Sequence, residues 1–251
     1  MELSTPILIT GAAGFVGRNL VEALQQRGYT NLLCFTRSST PEMLTDFCRQ
    51  AGFVVHLAGI NRPKDPSEFY TGNSGLTDTL LAELKAAGNP APVLVTSSVQ
   101  AELDNDYGKS KRDAELAVFA HGDRCGSPVY VFRMEGVFGK WCRPNYNSVV
   151  ATFCHNAAHG LPLSVRDPDF SLPLVYIDDV VQCIIDAFDG CVMCDRSRYP
   201  ICRIHPVHEI TLGRLAETIQ GFAAGQIPSD SSAETLEQKL YKTYCSYQTA
   251  D

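Results

Sequence analysis

Long apolar runs are missing from this sequence, and without one a membrane-spanning helix has no candidate. Positive charge is in deficit: 21 Lys and Arg stand against 28 Asp and Glu, a formal net charge of -7. An acidic surface repels polyphosphate chains and anionic lipid, so nucleic acid and membrane surfaces are not expected partners. Small anions still fit a locally basic pocket. The first residues run almost at once into a strand, which leaves no room for an export signal and points to the cytoplasm. The ten cysteines are therefore expected as reduced thiols. Internal repeats are also absent.

Cys191, Cys194, Cys202 and His205 lie close enough in sequence to raise the question of zinc. Cys202 and His205 are three apart in an expected strand, which turns them to opposite sides. They read as small apolar fillers and a loop histidine, and no metal is expected.

What is present is an alternation of strands and helices. Apolar strands are expected at Pro6–Thr10, Leu32–Phe35, Phe53–Leu57, Val93–Thr96 and Val129–Phe132. A helix from Phe15 to Arg27 carries Val16, Leu20, Val21 and Leu24 on one face and stops at Gly28. Another covers Leu76–Ala87 and stops at Gly88. A third carries Lys111, Ala114 and Leu116. Strands apolar throughout and separated by helices imply a parallel sheet covered on both faces, a Rossmann-like doubly wound α/β fold. Beyond Phe138 the pattern loosens. Helices near Ser148–Ala158, Asp179–Phe188, Leu212–Phe222 and Ala233–Tyr244 and a strand near Ile201–Ile204 remain legible. Gly225–Ser232 reads as a linker. Residues 1–138 are expected to form the dinucleotide-binding core. Residues 139–251 are expected to add a small substrate-binding lobe and the last core elements.

Gly11, Gly14 and Gly17 follow the first strand with the spacing of a strand-to-helix glycine turn. Gly11 allows the tight turn, Gly14 lets backbone approach phosphate oxygens, and Gly17 lets the helix pack close to the sheet. The helix start, with Phe15 and Val16, offers free N–H donors and a positive dipole end. A purely structural turn is the alternative. The second strand ends in Cys34-Phe35-Thr36-Arg37-Ser38 without the carboxylate that would hold ribose hydroxyls. Arg37 and Ser38 instead suit a 2′-phosphate, so NADP(H) is the expected cofactor, with a solvated surface arginine as the bland reading. Leu57, Ala58 and Gly59 end the third strand with residues small enough for a cofactor to cross. Thr96 lies at the end of the fourth.

Tyr107 and Lys111 are four apart, hence on one helix face. An ammonium beside a phenol is expected to lower the phenol's pKa, tuning it to exchange a proton with a carbonyl or alcohol oxygen. Lys111 can also bond a nicotinamide ribose.

These segments together resemble the short-chain dehydrogenase/reductase superfamily in its extended, nucleotide-sugar-modifying branch. His56-Leu-Ala-Gly59, Thr96-Ser97-Ser98, Tyr107-Gly-Lys-Ser-Lys111 and Tyr176-Ile-Asp-Asp-Val180 carry the resemblance with the glycine turn. It implies that Ser98, or its neighbour Ser97, polarises the substrate carbonyl. It implies that Asn73 holds a proton-relay water and that the helix bearing Tyr107 helps form a homodimer. A narrower resemblance rests on Phe138-Gly-Lys-Trp-Cys-Arg-Pro-Asn-Tyr-Asn-Ser148, Asn61-Arg62-Pro63, Leu240-Tyr-Lys-Thr-Tyr244 and the short gap between Ser98 and Tyr107. These are similar to bacterial capsular-polysaccharide reductases of the CapF and WbjC type. It implies NADPH-dependent reduction of the 4-keto group of a UDP-2-acetamido-2,6-dideoxy-hexulose. Members carry a zinc-binding C-terminal cupin domain that epimerises the sugar; none is expected in this chain. Arg133-Met-Glu-Gly136 departs from a segment that often holds an asparagine near the sugar in extended members.

For such a nucleotide-sugar, Lys140, Arg143 and Arg166 offer cationic donors to a diphosphate. Asn145 and Asn147 suit hydroxyl or acetamido groups, and Trp141 and Tyr146 suit stacking. An exposed polar loop is the alternative. Asp178 and Asp179 read as caps of the helix that follows. A 4-epimerase and a non-catalytic nucleotide sensor remain as competing functions. A 4,6-dehydratase is disfavoured, because Val99 and Gln100 follow Ser98 where carboxylates are needed.

Overall fold

The computed structural model describes residues 1–195, 197–231 and 233–248. Ser232, the last residue of the expected linker, and Asp251, where a cupin domain would begin, lie outside the described residues.

Six short strands build the main sheet: β1 (Ile7–Thr10), β2 (Leu32–Phe35), β3 (Phe53–His56), β4 (Val93–Ser98), β5 (Val129–Met134) and, named by chain order, β8 (Ile201–Arg203). The order is β2-β1-β3-β4-β5-β8, with every pairing parallel. β1 and β3 are buried at every position, as continuous apolar runs covered on both faces must be. The chain steps from β1 outward to β2, then returns to the other side of β1 as β3. The strand order therefore reverses at β1, and a doubly wound sheet opens its ligand crevice beyond the strand ends at such a point.

Helices α1 (Phe15–Gln26), α2 (Pro41–Gln50), the one-turn α3 (Ser67–Phe69), α4 (Leu76–Ala86) and α5 (Asp106–Cys125) fill the connections. Leu20 and Leu24 of α1 are fully buried, and Gly28 ends the helix at a left-handed φ of 85°. α2 has no counterpart in the sequence reading. Its apolar face is only Leu44 and Cys48, but Thr40 caps it by accepting from the Met43 amide at 3.4 Å and Pro41 opens it. On α5 the buried face is Ala114, Val118 and Phe119, whereas Leu116 points outward. Leu8, Leu44, Val54, Leu80, Leu84, Val93, Val118 and Val131 form one apolar core between α2, α4, α5 and the sheet.

The chain divides into two compact units. The first comprises Met1–Met134 and Val181–Ile204. The second comprises Glu135–Val180 and the described residues from His205 onward. The second unit holds a three-stranded sheet, β6 (Gly136–Phe138), β7 (Ser171–Tyr176) and β9 (His208–Thr211), parallel between β6 and β7 and antiparallel between β7 and β9. α6 (Val149–Ala158), α8 (Leu212–Ala223) and α9 (Leu236–Cys245) complete it, and α7 (Ile177–Asp186) follows β7 directly. The sequence reading finds no strand at 171–176 because Pro173 lowers strand propensity. Pairing with β6 begins only at Leu174, so the proline occupies a position where no β6 partner is required. α7 begins at Ile177, so Asp178 and Asp179 sit inside its first turn rather than capping it.

Two further expectations need correction or comment. Cys194 and Cys202 are joined as a disulfide, so the thiols are not all reduced; the two residues face each other across an antiparallel bridge. Among the described residues no group of three or more His, Cys, Asp or Glu is placed to hold a metal ion, and no helix is long and apolar enough to cross a membrane.

A Cβ at Gly17 would lie 2.3 Å from the Gly11 carbonyl oxygen, whereas one at Gly88, at a φ of 62°, would meet nothing within 4 Å. Gly17→Ala is expected to cost about 3 kcal/mol through overpacking, and Gly88→Ala about 1 kcal/mol through left-handed strain alone. Urea unfolding of both variants measures the difference. Equal costs would mean that α1 does not close on the glycine turn.

Candidate active site

The glycine turn is locked to the end of β2. The Gly11 amide donates to the Phe35 carbonyl at 2.9 Å, and that of Ala12 to the same oxygen at 3.4 Å. Gly11 has a φ of 71°, and a Cβ there would come within 2.8 Å of the Ala58 nitrogen. Gly14 is the extended N-cap of α1, exposed, with no side chain capping the helix and no acid in its first turn. Open N–H groups at a positive dipole end are the donors a pyrophosphate needs. Gly17 closes against Gly11 and Ala12 of the turn itself, not against the sheet as the sequence reading has it. This cradle fits a dinucleotide.

Phe35 leads straight into Thr36-Arg37-Ser38-Ser39. Here Thr36 Oγ1 lies 2.9 Å from Ser38 Oγ, and the Thr36 amide donates to Ser39 Oγ at 3.0 Å. Arg37 and Ser38 are both exposed at this tight turn. The Thr36–Ser39 loop is thus placed beside the glycine turn.

Across the crevice, β3 ends in a hydrogen-bonded chain. The Ala58 amide donates to Thr10 Oγ1 at 3.3 Å; Thr10 Oγ1 lies 2.6 Å from His56 Nδ1; His56 Nε2 lies 2.9 Å from Thr77 Oγ1; and Thr77 donates to the Asn73 carbonyl at 2.8 Å. His56 is 2% exposed. Burial first, and the Lys111 charge second, push its pKa down to about 3, so the ring is neutral. Because the Thr77 hydroxyl hydrogen is committed to Asn73, the Nε2 nitrogen carries the ring proton and donates to Thr77. Thr10 then donates to Nδ1.

Asn73 lies in a π-helical turn, Tyr70–Gly75, that leads into α4. Its Oδ1 accepts from the Ile60 amide at 2.8 Å, and its Nδ2 donates to the Ile60 carbonyl and to Ser110 Oγ, both at 3.0 Å. Its amide group is thus engaged in holding the Leu57–Ile60 segment to the helix of Tyr107. A Cβ on Gly59 would lie 2.8 Å from Asn73 Oδ1 and 3.3 Å from Lys111 Nζ, so a larger residue would have to displace the Asn73 amide from its bonds.

The reactive groups come from β4 and α5. Asn105 caps α5 by accepting from the Gly108 amide at 2.7 Å. A Cβ on Gly108 would lie 2.3 Å from the Gln100 carbonyl oxygen and 2.6 Å from that of Leu103. This glycine lets α5 start against the single 3₁₀ turn Val99–Glu102 that follows β4, which is why eight residues suffice between Ser98 and Tyr107. The Ser98 side chain lies near enough to the Tyr107 phenol to draw its pKa down, while its own hydroxyl accepts from the Gln100 amide at 3.2 Å. Ser97 instead turns inward and donates to the buried Glu115 at 2.5 Å, which removes it as the carbonyl-polarising alternative. Lys111 Nζ donates to the Thr96 carbonyl at 3.1 Å.

One electrostatic expectation is overturned. Tyr107 is not acidified by Lys111: burial raises its pKa above the ordinary phenol value, and only Ser98 works downward. Lys111 is pushed down to about 8 by burial, with the Glu115 charge opposing. Sequence spacing shows that two side chains share a face; it does not show how much water each has lost.

In the second unit, the expected sugar-binding residues follow β6. Gly139 takes a φ of 148°, with Ile177 filling the place a Cβ would need. Trp141 and Asn145 take left-handed φ values of 66° and 55°, uncommon outside glycine and most so for a tryptophan. The expected stacking faces are covered by cations of the same loop: Lys140 Nζ lies 4.5 Å from the Trp141 ring centre, and the Arg143 guanidinium 5.3 Å from that of Tyr146. Asn145, Asn147 and Arg166 are exposed. Lys239 of α9 is 3% exposed and donates to Asp179 at 2.7 Å, so the half-buried Asp179 serves as the counter-ion of a buried lysine.

Comparison with known proteins places this geometry. Residues 7–191 match the NAD dependent epimerase/dehydratase family. The sequence is 43% identical over 247 residues to a UDP-2-acetamido-2,6-beta-L-arabino-hexul-4-ose reductase of Pseudomonas aeruginosa, covering 98% of this chain and 65% of the relative. The fold superposes with a TM-score of 0.86 on the capsular polysaccharide assembling protein CapF of Staphylococcus aureus, 36% identical, over 97% of this chain and 66% of that one. A UDP-glucuronic acid 4-epimerase of Bacillus cereus in complex with NAD shares the fold at a TM-score of 0.79 and 17% identity, over 97% of this chain and 98% of that one. The chain thus spans about two thirds of the length of the first two.

The neutral His56 makes a pH prediction. Its folded pKa of about 3 lies below the unfolded value of about 6.5. Its share of stability is whole above the unfolded value and is lost as pH falls toward the folded one. Unfolding free energy should drop by about 1.4 kcal/mol per pH unit below pH 6.5 from this group. Urea titrations at pH 7, 6 and 5 should show that slope in the parent and not in His56→Gln. Parallel slopes would contradict the buried neutral ring.

Proposed function

The chain belongs to the NAD dependent epimerase/dehydratase family, and on that premise we propose that it is a reductase. Its substrate in this reading is the C4 ketone of a UDP-2-acetamido-2,6-dideoxy-hexulose, its cofactor NADPH, and its product a precursor of capsular or surface polysaccharide. The observation that carries the proposal is the placing of Tyr107 and Lys111 one turn apart on α5, with the half-buried Lys111 amine held on the Thr96 carbonyl and Ser98 two residues further along β4 at its end. The 43% identity to the P. aeruginosa 4-keto-sugar reductase supports the substrate class.

Each residue has a chemical part. The glycine turn would hold a nicotinamide dinucleotide, whose chemistry there would be delivery of a hydride. Ser98 and Tyr107 hold the carbonyl oxygen, and Tyr107 gives it a proton. Burial keeps that phenol protonated at neutral pH, the state a reduction consumes. Lys111 keeps a positive charge near the phenolate left behind, and Asn73 holds the helix of Tyr107 against the end of β3. Arg37, with Ser38, would take the 2′-phosphate, as the exposed pair at the end of β2. Lys140, Arg143 and Arg166 are assigned to the diphosphate, and Asn145 and Asn147 to sugar hydroxyl or acetamido groups.

Tyr107→Phe should lower kcat for reduction by about 10²–10⁴-fold, with NADPH affinity changed no more than about twofold. NADPH consumption against a panel of UDP-4-keto-hexosamines, with NMR of the product, reads both substrate and stereochemistry. Wild-type turnover in the Phe variant would end the assignment. Tightly bound NAD co-purifying with the protein, with no net NADPH consumption, would favour a 4-epimerase.

Arg37→Ala should reduce kcat/KM for NADPH by about 10–100-fold, the loss of a charge-assisted bond, and leave NADH almost unchanged. Equal use of both cofactors by the parent protein would remove the NADP assignment.

A further inference from the structure

The geometry points to Glu115 as the positioning residue of the reactive centre: one buried carboxylate that clamps the helix of Tyr107 and Lys111 to the strand of Ser98. Its catalytic meaning rests on the reductase reading, but the clamp itself stands on contacts. Glu115 is one helical turn beyond Lys111 on α5 and 3% exposed. Its Oε1 accepts from Ser97 Oγ at 2.5 Å and from Arg133 Nε at 2.9 Å, and its Oε2 accepts from Arg133 Nη2 at 2.7 Å. The guanidinium bond is two-pronged, which fixes orientation as well as distance.

The three partners sit at decisive places. Ser97 lies between Thr96, whose carbonyl receives the Lys111 amine, and Ser98, the residue that draws the Tyr107 pKa down. Arg133 stands opposite Ser97 in the β4–β5 pairing. Its Nη1 reaches Glu102 at 3.0 Å, and Glu102 belongs to the 3₁₀ turn between Ser98 and α5. The strand end, the turn after it and the helix that follows are thus joined through one ion pair. A carboxylate taken out of water is tolerated only when paired and hydrogen-bonded, and here both oxygens are spent on this join.

The same carboxylate acts on Lys111 by charge. The groups facing Lys111 are Glu115 on its own helix, the neutral His56 on β3, the Thr96 carbonyl on β4, and the Asn73 amide across Gly59. Glu115 is the anion among them. Those facing Glu115 are Ser97, Arg133 and Lys111, with Glu102 and Asp195 on the far side of Arg133.

The test separates charge from position. In unliganded protein labelled with ¹³Cε-lysine, the Lys111 resonance, assigned by its loss in Lys111→Arg, is titrated by NMR. Glu115→Gln should move its midpoint down by about one unit, a tenfold change in the protonated fraction. Glu115→Asp, which keeps the carboxylate, should recover most of that shift. Ser97→Ala removes only the link to β4: it should leave the midpoint in place, raise the phenol titration of Tyr107 read at 295 nm as the Ser98 contact loosens, and lower kcat about tenfold at unchanged KM. An unmoved midpoint in folded Glu115→Gln would refute the charge role. An unmoved Tyr107 titration in Ser97→Ala would refute the clamp. If Glu115→Gln does not fold, Arg133→Lys, which loosens the two-pronged bond, takes its place, with a raised Tyr107 titration expected and an unchanged one overturning the clamp. None of these spectroscopic readings needs turnover, so a protein that reduces no keto sugar would sink the reductase reading and leave the clamp to be decided on its own.

Discussion

A neutral histidine organises the cofactor side of this protein. His56 joins the hydroxyl of Thr10 at the end of β1 to that of Thr77 on α4, and Thr77 passes the chain to the Asn73 carbonyl. Each hydroxyl accepts one hydrogen and donates one, so the direction of the chain is determined throughout. A charged ring would have to donate from both nitrogens, leaving Thr10 with two donors pointed at it, from Ala58 and from the ring, and nothing to receive its own hydrogen. The low pKa and the bonding pattern therefore say the same thing by different routes. What depends on it is spacing. The chain ties the strand that leads into the glycine turn to β3 and to Ala58 just beyond it, and it holds the π-helical turn whose Asn73 reaches Ser110 on the helix of Tyr107. The glycine turn and the helix of Tyr107 are thus set relative to one another by polar bonds at the end of an apolar sheet.

The parts of the fold legible in the sequence are those where one signal dominates. β1, β3 and β4 open on unbroken apolar runs because both faces are covered, and they turn polar only at their C-terminal ends. α1 and α4 declare themselves by spacing and by a stop glycine with positive φ, Gly28 and Gly88. α2 shows the opposite case. Its apolar face is two residues deep, and its start is written in Thr40-Pro41-Glu42 rather than in periodicity. A reading weighted to capping finds it; one weighted to hydrophobic spacing passes over it. The second sheet is hidden for a different reason. Its strands are three to six residues long, half exposed, and β7 contains Pro173. Whether a proline is tolerated depends on where the neighbouring strand stops, and that is set by residues far away in the sequence.

The site divides along the same line. Tyr107 and Lys111, four apart, and the glycine turn are local patterns and carry straight into the structure. The inner life of the motif is not local. Gly108 looks like filler in Tyr107-Gly-Lys-Ser-Lys111, yet it is what lets the helix begin against the Gln100 and Leu103 carbonyls. Ser97 and Ser98 are equivalent on paper; the alternation of a strand sends Ser97 inward to Glu115 and leaves Ser98 on the other side, where it accepts from the Gln100 amide. Glu115 itself, beside Lys111 in the helical wheel, reads as a surface carboxylate until Arg133 arrives from the next strand. The loop after β6 teaches the same caution. Trp141 and Tyr146 offer aromatic faces in the sequence, and the fold lays Lys140 and Arg143 over them.

Desolvation moves the two reactive groups in opposite directions and toward the same end. It lifts the phenol of Tyr107, so the proton stays on oxygen until a stronger demand appears. It lowers the amine of Lys111 to about 8, so the ammonium survives at neutral pH only by a narrow margin. A reduction needs both conditions together: a donor that arrives loaded, and a positive charge standing by when the donor becomes an anion. Burial alone would satisfy the first and erode the second, because the surroundings that protect the phenol also penalise the cation. Glu115 works against that erosion, at the cost of being buried itself, and Arg133 in turn makes the buried carboxylate tolerable. The centre is therefore not a tyrosine tuned by a lysine. It is a phenol and an amine placed in the same dry environment, with a second ion pair behind them to keep the amine charged.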